Sequence, residues 1–221
     1  NGAFAEYALM NADFAVKLPD GLDPFKSAPF YCAGVTMYKA LKISQARSND
    51  WVSIVGVGSI GIKYAKIMGY RVIGIVAEKD QAAANLALEM GADEVIVTFR
   101  SLIQSLVYDG PIDQHSNFVK GKTNGGVQAS LVTVPLISVY EQALQSLKRG
   151  GRLVMIGLTK EKLSVTVSEC ISKQIQIVGS LVGTRTDLQE ALDMAQKYKI
   201  ECKVQTCQLE QINEVFDDMR N

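Results

Sequence analysis

The chain has 221 residues, of which 48% are hydrophobic and 21% charged, and its 23 basic and 23 acidic side chains balance. This is enough chain for one or two domains with a hydrophobic core, and the apolar content excludes a low-complexity disordered protein. The charge balance and the lack of a basic run predict no nucleic-acid partner. No apolar stretch reaches the ~18 residues of a membrane span, and the N-terminus is no signal peptide, so we expect no membrane partner.

The cysteine and histidine content limits the chemistry that we expect. No two cysteines form a CxxC pair, which argues against a disulfide scaffold and favours a reducing, cytoplasmic compartment. Chemistry that needs several histidines is excluded, because His115 is the only one. The cysteines are Cys32, Cys170, Cys202 and Cys207.

From about residue 48 onward, strand-like and helix-like segments alternate. Strands that are apolar on both faces and separated by helices are typical of a parallel sheet with both faces covered. The sequence therefore predicts an α/β fold with a doubly wound parallel sheet. The predicted strands are 51–55, 71–76, 94–98, 127–134, 152–158 and 176–182, and the predicted helices are 63–68, 81–90 and 139–147.

The two ends of the chain do not follow this alternation. Residues 1–22 contain two short apolar runs closed by a Pro-Asp-Gly turn, which predicts a short β element of a different unit. Near the C-terminus we expect helices over 187–198 and 209–220, with a strand over 203–206 between them. Residues 108–126 are polar and contain several glycines, which predicts a long surface loop.

A GxGxxG sequence directly follows the first predicted strand and precedes a helix, which is the context of a dinucleotide-binding turn. The first glycine allows a tight turn, and the second lets the backbone approach a pyrophosphate. The third lets helix and strand pack closely, and the helix N-terminus offers free N–H groups to the phosphates. A glycine turn without a ligand is the alternative. The candidate residues for this Rossmann-type site are Gly56, Gly58, Ser59, Ile60 and Gly61.

The choice between NAD and NADP depends on an acid expected about 20 residues after the motif, where it would hold the ribose hydroxyls. Position 76 is valine, so Glu78 is the candidate, and its carboxylate would repel the 2′-phosphate of NADP. A solvated acid at a helix start is the alternative for Glu78. Lys79 could instead attract that phosphate, so the sequence favours NAD and leaves NADP open.

Several segments in one order resemble the zinc-containing medium-chain alcohol dehydrogenases, and are most similar to the tetrameric yeast and bacterial branch. The resemblance covers nearly the whole chain. It implies hydride transfer between a primary or secondary alcohol and NAD, with a small-molecule alcohol or aldehyde as substrate and Zn²⁺ polarising its oxygen. The segments are CAGVTMYKAL at 32–41, the glycine turn, YAK at 64–66, GYRV at 69–72, GGRL at 150–153 and GSLVGTR at 179–185.

The resemblance also implies roles for individual residues. Cys32 matches the third protein ligand of the catalytic zinc, whereas the residue by itself would suggest a buried core thiol. Thr36 matches the threonine against the nicotinamide ring and is the catalytic candidate. Arg185 matches an arginine at the edge of the cofactor, with a surface arginine as the alternative. Other positions that match the adenosine and nicotinamide pockets are Thr133, Leu158, Leu181 and Val182.

The same resemblance implies parts of the family that this sequence lacks. The first two zinc ligands, the proton-relay residues and the four-cysteine structural zinc lobe would precede Asn1, and a last strand would follow Asn221. We therefore expect remnants of a GroES-like, β-rich catalytic domain at 1–33 and 183–221, flanking an NAD-binding domain at 34–182. The chain by itself is expected to be inactive.

Three further departures concern particular residues or segments. Family members have about three more residues between Gly61 and Tyr64, so either the glycine assignment is off by a turn or this chain carries a deletion, and we expect the cofactor helix to pack differently here. His115 lies outside every matching segment and is expected to be exposed. The three cysteines after Cys32 match no ligand position, so inert thiols are expected.

Three functions are compatible with these residues. The first is the cofactor half of an alcohol dehydrogenase, which would form a homo-oligomer through the strand edge at 176–182, as family members do. The second is a truncated dinucleotide-binding or oligomerisation module without catalysis. A zinc-free reductase of the same superfamily is disfavoured, because those relatives generally lack a cysteine at the position of Cys32.

Overall fold

The computed structural model of the chain describes residues 4–56, 58–77, 81–98 and 113–220. Among these residues, six strands form one sheet with parallel pairing throughout. The strands are β1 Trp51–Val55, β2 Arg71–Ala77, β3 Glu94–Thr98, β4 Val127–Val132, β5 Leu147–Met155 and β6 Gln176–Gly179. Their order in the sheet is β3-β2-β1-β4-β5-β6, which reverses between β1 and β4. This is the doubly wound, Rossmann-type order, and it confirms the predicted fold class.

Helices connect the strands and cover the sheet. Within the described part of the chain, the helices are α1 Pro24–Ser27, α2 Ala33–Ile43, α3 Ser59–Ile67, α4 Gln81–Glu89, α5 Asp113–Thr123, α6 Ile137–Gln145, α7 Val167–Lys173, α8 Arg185–Tyr198 and α9 Ile212–Asp218. None of these helices has the length and apolarity needed to cross a bilayer.

The hydrophobic core is divided by the sheet into two large clusters. Alternate residues of one strand point to opposite faces. Ile54 and Leu131 accordingly belong to the cluster formed with α2, α3 and α8. Val55 and Val132 belong to the cluster formed with α6. The sheet is therefore packed on both faces, which explains why its strands are nearly continuous runs of apolar residues.

The predicted β element near the N-terminus is wrong for residues 4–22. They contain a 3₁₀ turn at Ala12–Phe14 and no strand. A strand needs the backbone of a neighbouring strand to satisfy its N–H and C=O groups, and among the described residues no strand pairs with this segment. Tyr7 and Leu9 are fully exposed. The strand expected at 203–206 is wrong for the same reason, and the helix expected after it is present as a 3₁₀ turn followed by α9.

The surface loop expected over 108–126 is also wrong for most of its length, because α5 occupies 113–123. Ser116, Val119 and Thr123 are buried, and their spacing of three and four residues places them on one helical face. The Thr123 hydroxyl donates to the Val119 carbonyl at 2.6 Å. This narrow buried face anchors a helix that is otherwise polar. Residues 108–112 and the side chain of His115 lie outside the described residues.

Several strand boundaries differ from the predictions. β4 ends at Val132, two residues before its expected end at 134, and β5 begins at Leu147, five residues before its expected start at 152. β5 ends at Met155 and β6 ends at Gly179, so both strands stop three residues before their expected ends at 158 and 182. Val182 has a φ of 45°, in the left-handed region, which is incompatible with an extended strand. The segments after both strands therefore leave the sheet and are free to line a site at its carboxyl edge.

Candidate cofactor site

The reversal of strand order brings the ends of β1 and β4 together. Gly56 follows β1, and Thr133 follows β4. The backbone N–H and the hydroxyl of Thr133 both donate to the Val55 carbonyl, at 3.0 and 2.8 Å. In doubly wound sheets, ligands bind in the crevice outside the carboxyl ends of the strands at this reversal point. The structure therefore places two of the predicted cofactor residues, Gly56 and Thr133, at the position where the fold binds ligands.

The first two glycines of the motif have no space for a side chain. Gly56 has a φ of 103°, and a Cβ there would lie 2.3 Å from Oγ1 of Thr133. A Cβ on Gly58 would lie 2.5 Å from Cγ2 of Ile54 in β1. Gly58 is also the N-cap of α3 and supplies no side-chain cap. The backbone is thus drawn close to the sheet, and the start of α3 keeps N–H groups that an anion could pair with.

The third glycine has a different role from the one predicted. A Cβ on Gly61 would lie 2.5 Å from Cε of Met37 and 3.0 Å from its Cβ. Met37 belongs to α2, so Gly61 permits close packing of two helices and not of a helix against the sheet. Gly58 makes the close strand contact instead. α3 begins at Ser59, four residues before the predicted helix start, so Ser59 and Ile60 lie in its first turn.

The glycine turn does not enclose a large cavity. The pocket that it borders with β2 and α4 has a volume of about 10 Å³, no more than the ~10–15 Å³ that a single water needs. A dinucleotide would therefore lie across the outer side of the turn. Glu78 and Lys79, which were chosen to distinguish NAD from NADP, lie outside the described residues.

The residues predicted for the nicotinamide end lie at two places in the structure. Thr36 is half-buried in the first turn of α2, and its N–H donates to the Cys32 carbonyl at 3.0 Å. Leu158 and Leu181 are exposed and line one cavity of about 560 Å³ at the ends of β5 and β6. Thr36 does not line this cavity. Tyr140 and Ser180 do, although the sequence pattern indicated a role for neither of them: Tyr140 lies in a predicted helix, and Ser180 lies in the GSLVGTR segment.

Arg185, the remaining predicted cofactor residue, begins α8. Its guanidinium lies 5.9 Å from the ring centroid of Phe14. The start of α8 is fixed by a capping box in which the Thr184 hydroxyl accepts from the N–H of Asp187, and Asp187 accepts from the N–H of Thr184. This fixed start holds Arg185 at one place beside the N-terminal segment.

Asp187 also joins α8 to α2. It is buried, and its carboxylate lies 3.1 Å from Nζ of Lys42 and 3.4 Å from Nζ of Lys39. Burial raises the pKa of Asp187, but hydrogen bonds from Thr184 and the two lysines outweigh it, so the pKa is held below its ordinary value. The carboxylate is therefore ionised at neutral pH and connects the helix of Thr36 to the helix of Arg185.

The residues described here do not form a zinc site. Cys32 is an exposed free thiol at the start of α2. Across the described ranges, no group of three or more His, Cys, Asp or Glu residues could hold a metal ion. The other three cysteines are also free thiols, and burial raises the pKa of Cys202. A catalytic zinc needs three protein ligands, so these residues by themselves do not fit one.

The fold and the glycine turn define a Rossmann-type domain of the dehydrogenase kind. A family model described as zinc-binding dehydrogenase matches residues 56–197. An alcohol dehydrogenase of Geobacillus stearothermophilus is 40% identical to 99% of this chain. The chain belongs to the zinc-binding dehydrogenase family, which confirms the resemblance. It spans 61% of the length of that relative.

Solved structures agree with this assignment of the fold. The crystal structure of the alcohol dehydrogenase from Aeropyrum pernix is 26% identical, with a TM-score of 0.81 over all of this chain and 62% of that one. Acetophenone reductase from Geotrichum candidum, in complex with NAD, is 24% identical, with a TM-score of 0.73 over 93% of this chain and 55% of that one. Because its identity is only 24%, the similarity to acetophenone reductase supports the fold alone.

Proposed function

We propose that this chain is the cofactor-binding portion of an NAD-dependent, zinc-dependent alcohol dehydrogenase that acts on small alcohols or aldehydes. The observation that carries the proposal is the close approach of Gly56 to the Thr133 side chain, which leaves no space for a Cβ at position 56, where the strand order reverses. That contact draws the backbone tightly against the sheet just before the uncapped N-terminus of α3. Membership of the zinc-binding dehydrogenase family supports it.

The residues present fit a dinucleotide. The backbone of Gly56, Gly58 and Ser59 would hold the pyrophosphate, because a Cβ at either glycine would overlap the sheet and α3 has no side-chain cap. Thr36 would contact the nicotinamide ring, and Glu78 would bind the ribose hydroxyls. The bound cofactor would supply hydride acceptance. The chain's own contribution is to bind the cofactor and fix its orientation.

Zinc belongs to this proposal only for a longer protein. Cys32 would supply one ligand, and the described residues offer no companions for it. No step through a metal follows from this chain. A dinucleotide-binding module without catalysis therefore stays the second candidate, and the isolated cysteine is the observation that favours it.

Cofactor titration tests the proposal. Calorimetry with NADH and NADPH should show binding of both, with NADH the tighter ligand. Glu78→Gln should reduce the preference for NADH. Lys79→Ala should lower the affinity for NADPH and leave the affinity for NADH unchanged. If circular dichroism shows that the chain is folded and it still does not bind NADH, the proposed cofactor site is contradicted. Only a scaffold function would then remain.

We also propose that the chain forms a homo-oligomer through the edge at 176–182. β6 is an edge strand of the sheet, and Ile177 on this strand is a partly exposed apolar side chain. An unpaired edge can add a strand from a second copy. Sedimentation analysis should show a dimer or larger species that Ile177→Lys converts to a monomer. Leu88→Lys, at an exposed position of α4, is the control and should leave the association unchanged.

The proposed location is the cytoplasm. All four cysteines are free thiols. A reducing compartment keeps thiols in this state.

A further inference from the structure

Gly183 lies where the segment that follows β6 comes very close to α2. It comes after Leu181 and Val182 and just before α8. A Cβ on Gly183 would lie 2.6 Å from Cγ2 of Val35 in α2. Two carbon atoms in contact are about 3.5–4.0 Å apart, so a side chain at position 183 would require this segment or α2 to move by about 1 Å.

The neighbours of Gly183 cannot easily move aside. Val35 is 2% exposed, and its branched side chain has one strongly preferred rotamer in a helix. The same Cβ on Gly183 would also lie 3.2 Å from Cβ of Asp187, which is buried in the first turn of α8. The space at position 183 is therefore bounded by both helices. The lack of a side chain at this position sets how closely the segment after β6 approaches α2.

Ion pairs fix the position of the same two helices relative to each other. The carboxylate of Asp187 in α8 pairs with Lys39 and Lys42 of α2. Nζ of Lys42 also lies 2.6 Å from the carboxylate of Glu190, one turn further along α8. These pairs hold α2 against α8 next to the close approach at Gly183. The spacing at Gly183 therefore belongs to a joint that the chain forms by itself, without a ligand.

The residues next to this joint in sequence are two of those proposed to hold the nicotinamide. Thr36 follows Val35 in the first turn of α2, and Val182 precedes Gly183. Thr36 is half-buried and Val182 is 40% exposed, so a ligand can reach both side chains. We propose that Gly183 is a positioning residue, which acts through its two neighbours and sets the distance between Thr36 and Val182. This inference rests on the proposed function, because it assumes that those two residues contact the nicotinamide.

Titration with NADH and with ADP-ribose tests this role, because ADP-ribose has the adenosine and both phosphates of NADH but no nicotinamide. The parent chain should bind NADH more tightly than ADP-ribose. Gly183→Ala should lower the NADH affinity about three- to tenfold, since a gap of about 0.5–1 Å removes a quarter to a half of the attraction between contacting atoms. Its affinity for ADP-ribose should stay within about twofold of the parent's. Gly121→Ala is the control and should bind both ligands as the parent does, because a Cβ on Gly121 would meet no atom within 4 Å.

Val35→Ala supplies the compensating change. It removes the atom that a side chain at position 183 would meet. The double variant with Gly183→Ala should therefore bind NADH within about twofold of Val35→Ala. If circular dichroism shows that Gly183→Ala by itself does not fold, the double variant should still fold and keep that affinity. A double variant that does not fold, or that loses NADH affinity relative to Val35→Ala, would overturn the inference.

Other results would overturn the role of Gly183 and leave the proposed function standing. Equal losses of NADH and ADP-ribose affinity in Gly183→Ala would mean that the substitution disturbs the whole fold. Unchanged NADH affinity in that variant would mean that the close approach does not set the site. Equal affinity of the parent for the two ligands would mean that the nicotinamide is not held. A folded parent that binds neither ligand would instead contradict the proposed cofactor site, on which the inference rests.

Discussion

Oγ1 of Thr133 lies 2.3 Å from the point that a Cβ on Gly56 would occupy. The hydroxyl cannot easily move aside, because it donates to the Val55 carbonyl at 2.8 Å. Gly56 also has a φ of 103°, which side chains other than hydrogen rarely allow. Position 56 is therefore closed to every other residue by two independent constraints, one in its own backbone and one across the sheet.

Gly56→Ala is expected to destabilise the chain and to weaken NADH binding. The backbone conformation by itself costs about 1–3 kcal/mol for a residue with a Cβ. Contact with Thr133 adds to that cost and pushes the turn away from the position in which it would hold a pyrophosphate. Urea unfolding measures the loss of stability, and NADH titration measures the loss of cofactor affinity.

Gly150→Ala is the matched control for Gly56→Ala. Gly150 also has a positive φ, of 72°, but a Cβ there would meet no atom within 4 Å. It should therefore show the cost of the backbone conformation without the clash, and NADH binding should be unchanged. Equal destabilisation by the two substitutions would show that the contact with Thr133 contributes nothing.

Gly61→Ala is expected to separate α2 and α3. The added Cβ would lie 2.5 Å from Cε and 3.0 Å from Cβ of Met37, and overpacking of this kind costs about 1–3 kcal/mol. Met37→Ala should cost about 2–5 kcal/mol by opening a cavity. The double variant should be more stable than the sum of the two losses predicts, by about 0.5–3 kcal/mol. Additive losses in urea unfolding would mean that these two residues do not limit the approach of the helices.

The residues of the sheet could be predicted from sequence because their pattern and their packing agree. Trp51–Val55 and Glu94–Thr98 are strands within the same bounds as predicted, since both faces of the sheet are covered and the apolar run coincides with the paired segment. Residues 4–22 could not be predicted in this way, because an apolar run becomes a strand only beside a partner. Among the described residues, none pairs with them.

The candidate site was predictable from physical reasoning only where backbone conformation requires a particular residue, and Thr133 was identified only through the family resemblance. Gly56 and Gly58 were identified because glycine is needed at such a turn. Met37 was not linked to Gly61, because the contact joins two helices that are more than twenty residues apart in sequence. Ser180 was quoted only as part of the GSLVGTR segment, because nothing in the sequence shows that it lines the cavity at the end of β6.

Ethanol oxidation by this 221-residue chain is expected to be absent. Cys32 by itself cannot hold a catalytic metal, and no ligand cluster accompanies it within the described ranges. Mixing the chain with ethanol, NAD and Zn²⁺ should give no increase in NADH absorbance, while titration still shows NADH binding. Turnover above that of a Cys32→Ser control would contradict this expectation.

Asp187→Asn is expected to destabilise the chain at neutral pH and to have a smaller effect in acid. The pKa of Asp187 is lower in the folded chain than in the unfolded chain, so its ionised form stabilises the fold above the ordinary aspartate pKa of about 3.9. That stabilisation is lost as the pH falls through the folded-state value. Asparagine can still accept from the Thr184 N–H but loses the attraction to Lys39 and Lys42, so we expect a loss of about 1–2 kcal/mol at pH 7.

The pH dependence of that loss distinguishes charge from packing. The difference in unfolding free energy between the parent and Asp187→Asn should shrink as the pH is lowered from 7 to below about 3.9, because protonation removes from the parent the same charge that the substitution removes. Asp193→Asn on the exposed side of α8 is the control, and its effect should stay within about 0.5 kcal/mol at every pH. A loss for Asp187→Asn that is constant from pH 7 to pH 3 would mean that hydrogen-bond geometry at the helix start, and not the carboxylate charge, joins α8 to α2.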